Sequence, residues 1–402
     1  MTETGFSGAG LKRMHEALSP HVGRGSVPGL VALISRDGDA HVEVVGKTEV
    51  GGSEPIRRDT LFRISSMSKP VTAAATLALV DDGTVKLDEP VDRLLPELGG
   101  RRVLRRIDGP LDDVGPAKRP ITVRDLLAFT MGFGLMFADP ASVPILKAAN
   151  ELQLGMGPPS PSAMPLPDEW IRRLGTLPLM HQPGDRWMYN TGADVLSVLI
   201  ARASKRPFET FLRERLFGPL GMKDTAFSVP AAKMDRFTPN YWTNYMTGKE
   251  EVYDPADGGQ WSRPPPFASG AGGLVSTADD YLAFARMLLN HGSHRGRQIL
   301  SEGSVKAMTT DQLAKAQKAA PLVPGFFDNH GWGFGVSVLT APDDLTSVPG
   351  RYGWDGGMGT SWFNDPNVGL IGILMTNRMW PSAEAPPVCR DFWTAAYGSV
   401  AD

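Results

Sequence analysis

Residues 71–80, Val-Thr-Ala-Ala-Ala-Thr-Leu-Ala-Leu-Val, are small and apolar nearly all round. A helix of that composition has no face to offer water, so it belongs inside a core. Gly83 stands where such a helix takes its C-terminal cap. Pro70 fixes the other end. Deep inside a helix it would break a backbone hydrogen bond and clash one turn back, whereas the first turn tolerates it. The helix therefore begins close to Ser66, just after a strand-like run, Leu61–Phe62–Arg63–Ile64.

A chain of 402 residues is ample for a core that encloses such a helix, as one composite domain or two closely packed lobes. Apolar residues make up 42% and charged residues 21%, an ordinary globular balance. With a net charge of −3, the composition points neither to a nucleic-acid partner nor to an electrostatic membrane anchor. The basic run 101–106 reads as a solvated face. Cys389 is the only cysteine, so no internal disulfide and no cysteine metal site can form. His291 and His294 flank a Gly-Ser turn without a third ligand nearby. No metal and no cofactor is therefore assigned. The first twenty residues are polar, with a short helix expected around Gly10–Leu18, and lack the apolar core of a signal peptide. No later stretch reaches transmembrane length. The expectation is a cytoplasmic protein without membrane contact, its oligomeric state left open.

Residues 29–46 read as a hairpin turning at Asp37–Gly38. The middle, 84–270, is rich in Pro and Gly, with helices expected at 122–129, 168–175 and 192–204. Five prolines in twelve residues make Met156–Pro167 a loop. Thr277, with Asp279 and Asp280 behind it, caps a helix running to Leu289. Strands are expected at 333–339, 360–364 and 368–376, and a last helix at 388–397. Strands at both ends with helices between them predict an α/β (α+β) fold whose sheet is built from the two termini. The organisation expected is one unit over 1–402, with a sheet lobe from 1–80 and 271–402 and a mainly helical lobe from 81–270.

Ser66–Met67–Ser68–Lys69 is the only S-x-x-K in the chain. Three residues is nearly one helical turn, so hydroxyl and ammonium share a face. A serine hydroxyl is a poor nucleophile until a neighbour accepts its proton, and a desolvated lysine can do so because burial lowers its pKa. By its spacing alone the motif reads sooner as an N-cap serine beside an exposed lysine. The strand before it and the buried helix after it favour chemistry. Tyr189, in Trp187–Met188–Tyr189–Asn190–Thr191, lies on a turn before a helix and can present its hydroxyl to a cleft as a proton relay. Packing is the commoner fate of a tyrosine. Gly353–Trp354–Asp355–Gly356–Gly357–Met358–Gly359–Thr360 offers backbone N–H groups for an oxyanion hole, or simply a flexible hairpin entry.

Taken together, Ser66–Lys69, Tyr189 and the 353–360 segment resemble class C β-lactamases, penicillin-binding DD-peptidases and family VIII carboxylesterases in order and spacing. Supporting segments, among them Thr60–Ile64, Asp81–Val91, Ile121–Leu127, Pro183–Trp187 and Gly272–Ala278, extend the resemblance over about residues 25–380. The resemblance implies a β-lactamase/transpeptidase-like fold, an antiparallel sheet flanked by helices with a helical lobe. It implies that Ser66 forms an acyl-enzyme, Lys69 holds and deprotonates it, and Tyr189 relays protons. The backbone N–H groups of Ser66 and Gly357 would form the oxyanion hole. Which of Lys69 and Tyr189 is the base stays open.

Departures from the pattern bear on the substrate. Relatives that attract a substrate carboxylate carry Lys-Thr-Gly where this chain has Trp354–Asp355–Gly356, a cation replaced by an indole with an acid beside it. Arg351 or Arg378 would have to restore the charge. Thr191 replaces an asparagine that contacts the acyl-amide group of β-lactams, and Phe129 stands where many relatives have a histidine. Trp354, Asp355, Gly356, Thr191, Phe133 and Met358 are the expected substrate-binding residues, with Met136 and Phe137 further cleft candidates. The reading is a serine carboxylesterase for small, short-acyl esters. Alternatives are a β-lactamase or D-amino-acid peptidase, an acyltransferase to an alcohol, and a non-catalytic binding domain.

Overall fold

The computed structural model describes residues 5–244, 246–319 and 321–400. Helix α1 (Gly8–Gly23) precedes a hairpin of β1 (Gly29–Arg36) and β2 (Asp39–Gly46). Its turn residues Asp37 and Gly38 both take positive φ, 51° and 91°, as the tight primed turn requires. The short β3 (Phe62–Arg63) leads through a 3-10 turn, Ser65–Met67, into α2 (Ser68–Asp81). Nearly all of α2 is buried, as its composition demands, and Gly83 follows at φ 70°. The middle of the chain supplies α3 (Val123–Leu127), α4 (Pro167–Thr176) and α5 (Thr191–Ser204).

The last part returns to strands: β4 (Val275–Ser276), β5 (His330–Trp332), β6 (Ser337–Leu339), β7 (Tyr352–Gly356), β8 (Thr360–Asp365) and β9 (Leu370–Thr376). Between them lie α6 (Ala278–Leu289), whose cap Thr277 accepts from the Asp280 N–H, and, at the end, α7 (Pro387–Tyr397). One seven-stranded sheet runs β5-β6-β7-β8-β9-β1-β2, every pair antiparallel. The central pairing joins the termini, Leu30 opposite Thr376 through Ser35 opposite Ile371. Both of these strands are buried along nearly their whole length. On one face α1 and α7 enclose Leu30, Ala32, Ile34, Leu370 and Leu374. On the other, α6 and α2 join a larger core with the helices of the middle region.

Two expected elements differ. The run 333–339 is not one strand, because Gly335 at φ 73° folds it into the turn between β5 and β6. The glycine-rich 353–360 segment is not a loose entry. Its first half is strand β7, and only Gly357–Gly359 turn, closed by the Gly359 N–H on the Gly356 carbonyl at 2.9 Å. Among the described residues no helix is long and apolar enough to cross a membrane.

Candidate active site

Three backbone devices bring the reactive side chains together. The short β3–β4 pair, Phe62 opposite Ser276, and the Ile64 N–H on the Leu274 carbonyl at 3.0 Å pin the approach to Ser66. Ser65 then takes φ 45°, a left-handed conformation rare for a non-glycine residue, and turns the chain into the 3-10 segment carrying Ser66. Beside it, a Cβ on Gly356 would stand 2.3 Å from the Ile64 carbonyl oxygen and 2.2 Å from Thr360 Oγ1. Gly356 therefore serves close approach between the end of β7 and the strand before Ser66. It does not present a group to substrate, which corrects its expected role. The third device is at Asn190, with φ 85° and ψ −69°, where the Thr191 N–H meets the Tyr189 carbonyl at 3.3 Å. That is a γ-turn of the strained hand. It reverses the chain just after Tyr189 and lets α5 begin at once.

The resulting cluster is compact. Lys69 Nζ lies 2.9 Å from Ser66 Oγ and 2.6 Å from the Ala271 carbonyl oxygen, and 4.4 Å from the centre of the Tyr189 ring. The Tyr189 hydroxyl is hydrogen-bonded with Ser66 and accepts from Trp354 Nε1 at 2.7 Å. Burial lowers the Lys69 pKa to about 7, with the carboxylate of Asp194 opposing the shift. Burial moves Tyr189 the other way, above the usual tyrosine range, against the hydrogen bonds from Ser66 and Trp354. At neutral pH Lys69 thus has ready access to its free-base form, while Tyr189 is held as the protonated phenol.

Asp194, one turn into α5, escapes a reading of the sequence because an acid there looks like an ordinary first-turn residue. Its buried carboxylate accepts from Ser269 Oγ at 2.6 Å and the Ala271 N–H at 3.1 Å. It therefore fixes the turn whose Ala271 carbonyl holds Lys69. Burial pushes the Asp194 pKa up, and the two hydrogen bonds and Lys69 pull it back.

Ser66 and Gly357 line a cleft of about 870 Å3, which Tyr189, Asn190 and Asp194 also border. Its walls come from Leu135–Ala138, the proline-rich 155–164 loop and Met379–Ala383. Several expected substrate contacts lie elsewhere. Phe133 is fully enclosed in the main core, and Met136 and Phe137 line the cleft instead. Met358 is buried against Leu61, Phe237 and Trp261. Thr191 is enclosed at the start of α5, and the γ-turn gives Asn190 the place on the cleft. Asp355 points to the far face of the sheet, because alternate residues of β7 face opposite sides. It hydrogen-bonds there with Ser361 near Cys389, and it reaches the site only as a charge behind the sheet that helps hold Tyr189 from ionising. Trp354 is a donor to Tyr189 rather than a wall of the acyl pocket.

The missing cation is not restored from the residues proposed for it. Arg351 pairs with Asp343, Arg378 pairs with Glu250 at 2.6 Å, and neither lines the cleft. Phe129, in place of the familiar histidine, packs edge-on against Tyr189 at 5.8 Å and lies tilted against Trp332 at 5.2 Å.

A serine whose hydroxyl touches both a buried amine and a buried phenol, beside a turn of strand-end glycines, defines a serine hydrolase on a β-lactamase/transpeptidase-like fold. The chain belongs to the Beta-lactamase family, whose model matches residues 14–388. It is 39% identical to Protein Rv1367c of Mycobacterium tuberculosis over 86% of this chain and 85% of that one. It is 30% identical to Esterase EstB of Burkholderia gladioli, over 89% and 88%. Among solved structures, EstCE1, described as a hydrolase with promiscuous acyltransferase activity, superposes with a TM-score of 0.77 at 24% identity, covering 97% and 98%.

Proposed function

We propose that this chain is a carboxylesterase that works through an acyl-enzyme on Ser66. The carrying observation is the Lys69–Ser66–Tyr189 contact set, in which the amine is shifted toward its free base and the phenol away from ionisation. In acylation, Ser66 Oγ attacks the ester carbonyl and its proton passes to Lys69 Nζ. The tetrahedral oxyanion rests on the backbone N–H groups of Ser66 and Gly357. As the C–O bond to the alcohol breaks, Tyr189 gives its proton to the leaving oxygen. The resulting phenolate is stabilised by the Lys69 ammonium near its ring and by the Trp354 N–H. In deacylation, water gives a proton to the phenolate and attacks, and Ser66 regains its proton from Lys69. An alcohol in place of water completes acyl transfer by the same steps.

The similarity to Esterase EstB supports ester chemistry, and a cleft whose lining holds no lysine, arginine or histidine supports a neutral, apolar acyl portion. About 870 Å3 is a volume typical of drug-sized ligands, so nothing in its size confines the acyl group to short chains. Initial rates on p-nitrophenyl butyrate and nitrocefin, wild type beside Ser66→Ala, test the reading. Ester turnover that Ser66→Ala abolishes, with little nitrocefin cleavage, is expected. Turnover that survives the substitution refutes the mechanism, and efficient nitrocefin cleavage refutes the substrate class.

A further inference from the structure

We infer that a small chamber beyond Tyr189 is a second subsite, receiving an anionic group on the alcohol portion of the ester; this rests on the hydrolase reading above. The segment Leu135–Phe137 is a wall shared by two cavities. On one side lies the cleft that holds Ser66. On the other is a chamber of about 210 Å3, completed by His181, Arg186, Trp187, Met188, Pro321 and Leu322. Tyr189 borders both, and its carbonyl accepts from the Leu135 N–H at 2.8 Å, which ties the wall to the tyrosine.

Tyr189 protonates the leaving oxygen, so the alcohol lies on its side of the scissile bond and the acyl group in the large cleft. An alcohol portion long enough to pass the Leu135–Phe137 wall beside Tyr189 brings its far end to the chamber. Cavities of ~150 Å3 hold a benzene ring, so the space suits a single substituted ring or a short chain.

Charge names the ligand class. Other guanidinium groups around the site are engaged: Arg119 holds Asp125 at 2.6 and 2.8 Å, Arg351 holds Asp343, and Arg378 holds Glu250. Arg186 is exposed and, among the described residues, makes no ion pair and no side-chain hydrogen bond. His181 beside it is half-buried, and burial together with Arg186 holds its imidazole below the usual range, so it is a neutral polar partner. Asp185, adjacent to Arg186 in the chain, does not line the chamber and acts electrostatically on Arg119 and His181. An unpaired guanidinium with an imidazole beside it, set in Trp187, Met188 and Leu322, fits a carboxylate or phosphate on a carbon skeleton.

The test compares 4-acetoxybenzoate with methyl 4-acetoxybenzoate, which share the acetyl group and differ in the charge on the alcohol portion. In wild type, kcat/KM is expected to favour the acid by about threefold to tenfold, mainly through KM, the range for one partly solvated charged contact. Arg186→Gln collapses that ratio toward one. Arg297→Gln, the same change of net charge on an exposed hairpin, leaves it intact. A wild-type ratio at or below one, or a ratio that Arg186→Gln does not change, overturns the subsite. Failure to hydrolyse the uncharged methyl ester, or hydrolysis that survives Ser66→Ala, sinks the hydrolase reading and the subsite with it. 4-Acetoxyphenyl phosphate, run alongside, shows whether phosphate or carboxylate is the better fit.

Discussion

Replacing Trp354 by phenylalanine keeps an aromatic ring and removes one donor, the Nε1–H that reaches the Tyr189 oxygen at 2.7 Å. In the proposed mechanism the bond matters most when the oxygen carries charge, after Tyr189 has protonated the leaving alcohol. A buried hydrogen bond to a charged group is worth about 1.5–3 kcal/mol, and each ~1.36 kcal/mol of barrier is tenfold in rate. Trp354→Phe is therefore expected to lower kcat by about 10- to 150-fold with KM little changed, the pattern of a contact made only in the transition state. Ethyl butyrate, followed by acid release, should show the larger loss. p-Nitrophenyl butyrate should show a smaller one, because nitrophenolate leaves without a proton. The ring also packs at 4.7 Å against Trp332 and 5.8 Å against Phe326, so thermal unfolding is measured in parallel to separate lost packing from lost chemistry. A double-mutant cycle with Tyr189→Phe isolates the contact. Once the hydroxyl is gone, Trp354→Phe should cost little more. The same loss in both backgrounds, or a single-mutant rate within threefold of wild type, would refute the reasoning.

Two titrating groups give further expectations. Asp194→Asn keeps an oxygen to accept from Ser269 and Ala271 but removes the charge that favours the Lys69 ammonium. The Lys69 pKa falls further, so the acidic limb of kcat/KM, expected near pH 7 in wild type, moves to lower pH. An unmoved or raised limb would contradict that coupling. Asp355 is buried behind the sheet, where desolvation raises its pKa from 3.8 to about 7. Between those values the unfolded chain has released the proton that the folded chain keeps, so this group's contribution to stability falls as pH rises. Asp355→Asn cannot ionise, and its Tm advantage over wild type should be near zero at pH 4 and grow toward pH 8. An advantage independent of pH would show that ionisation is not what the burial penalises.

Much of the fold is legible in order. The hairpin at Asp37–Gly38, the buried helix after Ser66, the Thr277 cap and the sheet shared by both ends of the chain follow from rules that act over a few residues. Turn chemistry, capping and hydrophobic period are local, and in these segments nothing distant overrides them. Ser66, Lys69 and Tyr189 could be singled out for the same reason, since each sits at a local junction of turn and helix start.

Other features depend on partners far away in the chain. Asp194 looks like any first-turn acid until Ser269 and Ala271 fold against it. Trp354 looks like a pocket wall until β7 brings its indole N–H to Tyr189, more than 160 residues earlier in the chain. Asp355, its neighbour, looks like a cleft acid until the alternation of strand side chains sends it to the opposite face. The sequence by itself determined which segments become strand, turn or buried helix, because backbone conformation answers to nearby residues. Tertiary structure alone decided which side chains meet at Ser66 and which are sealed in the core, because contact and desolvation are set by every element that packs around a group.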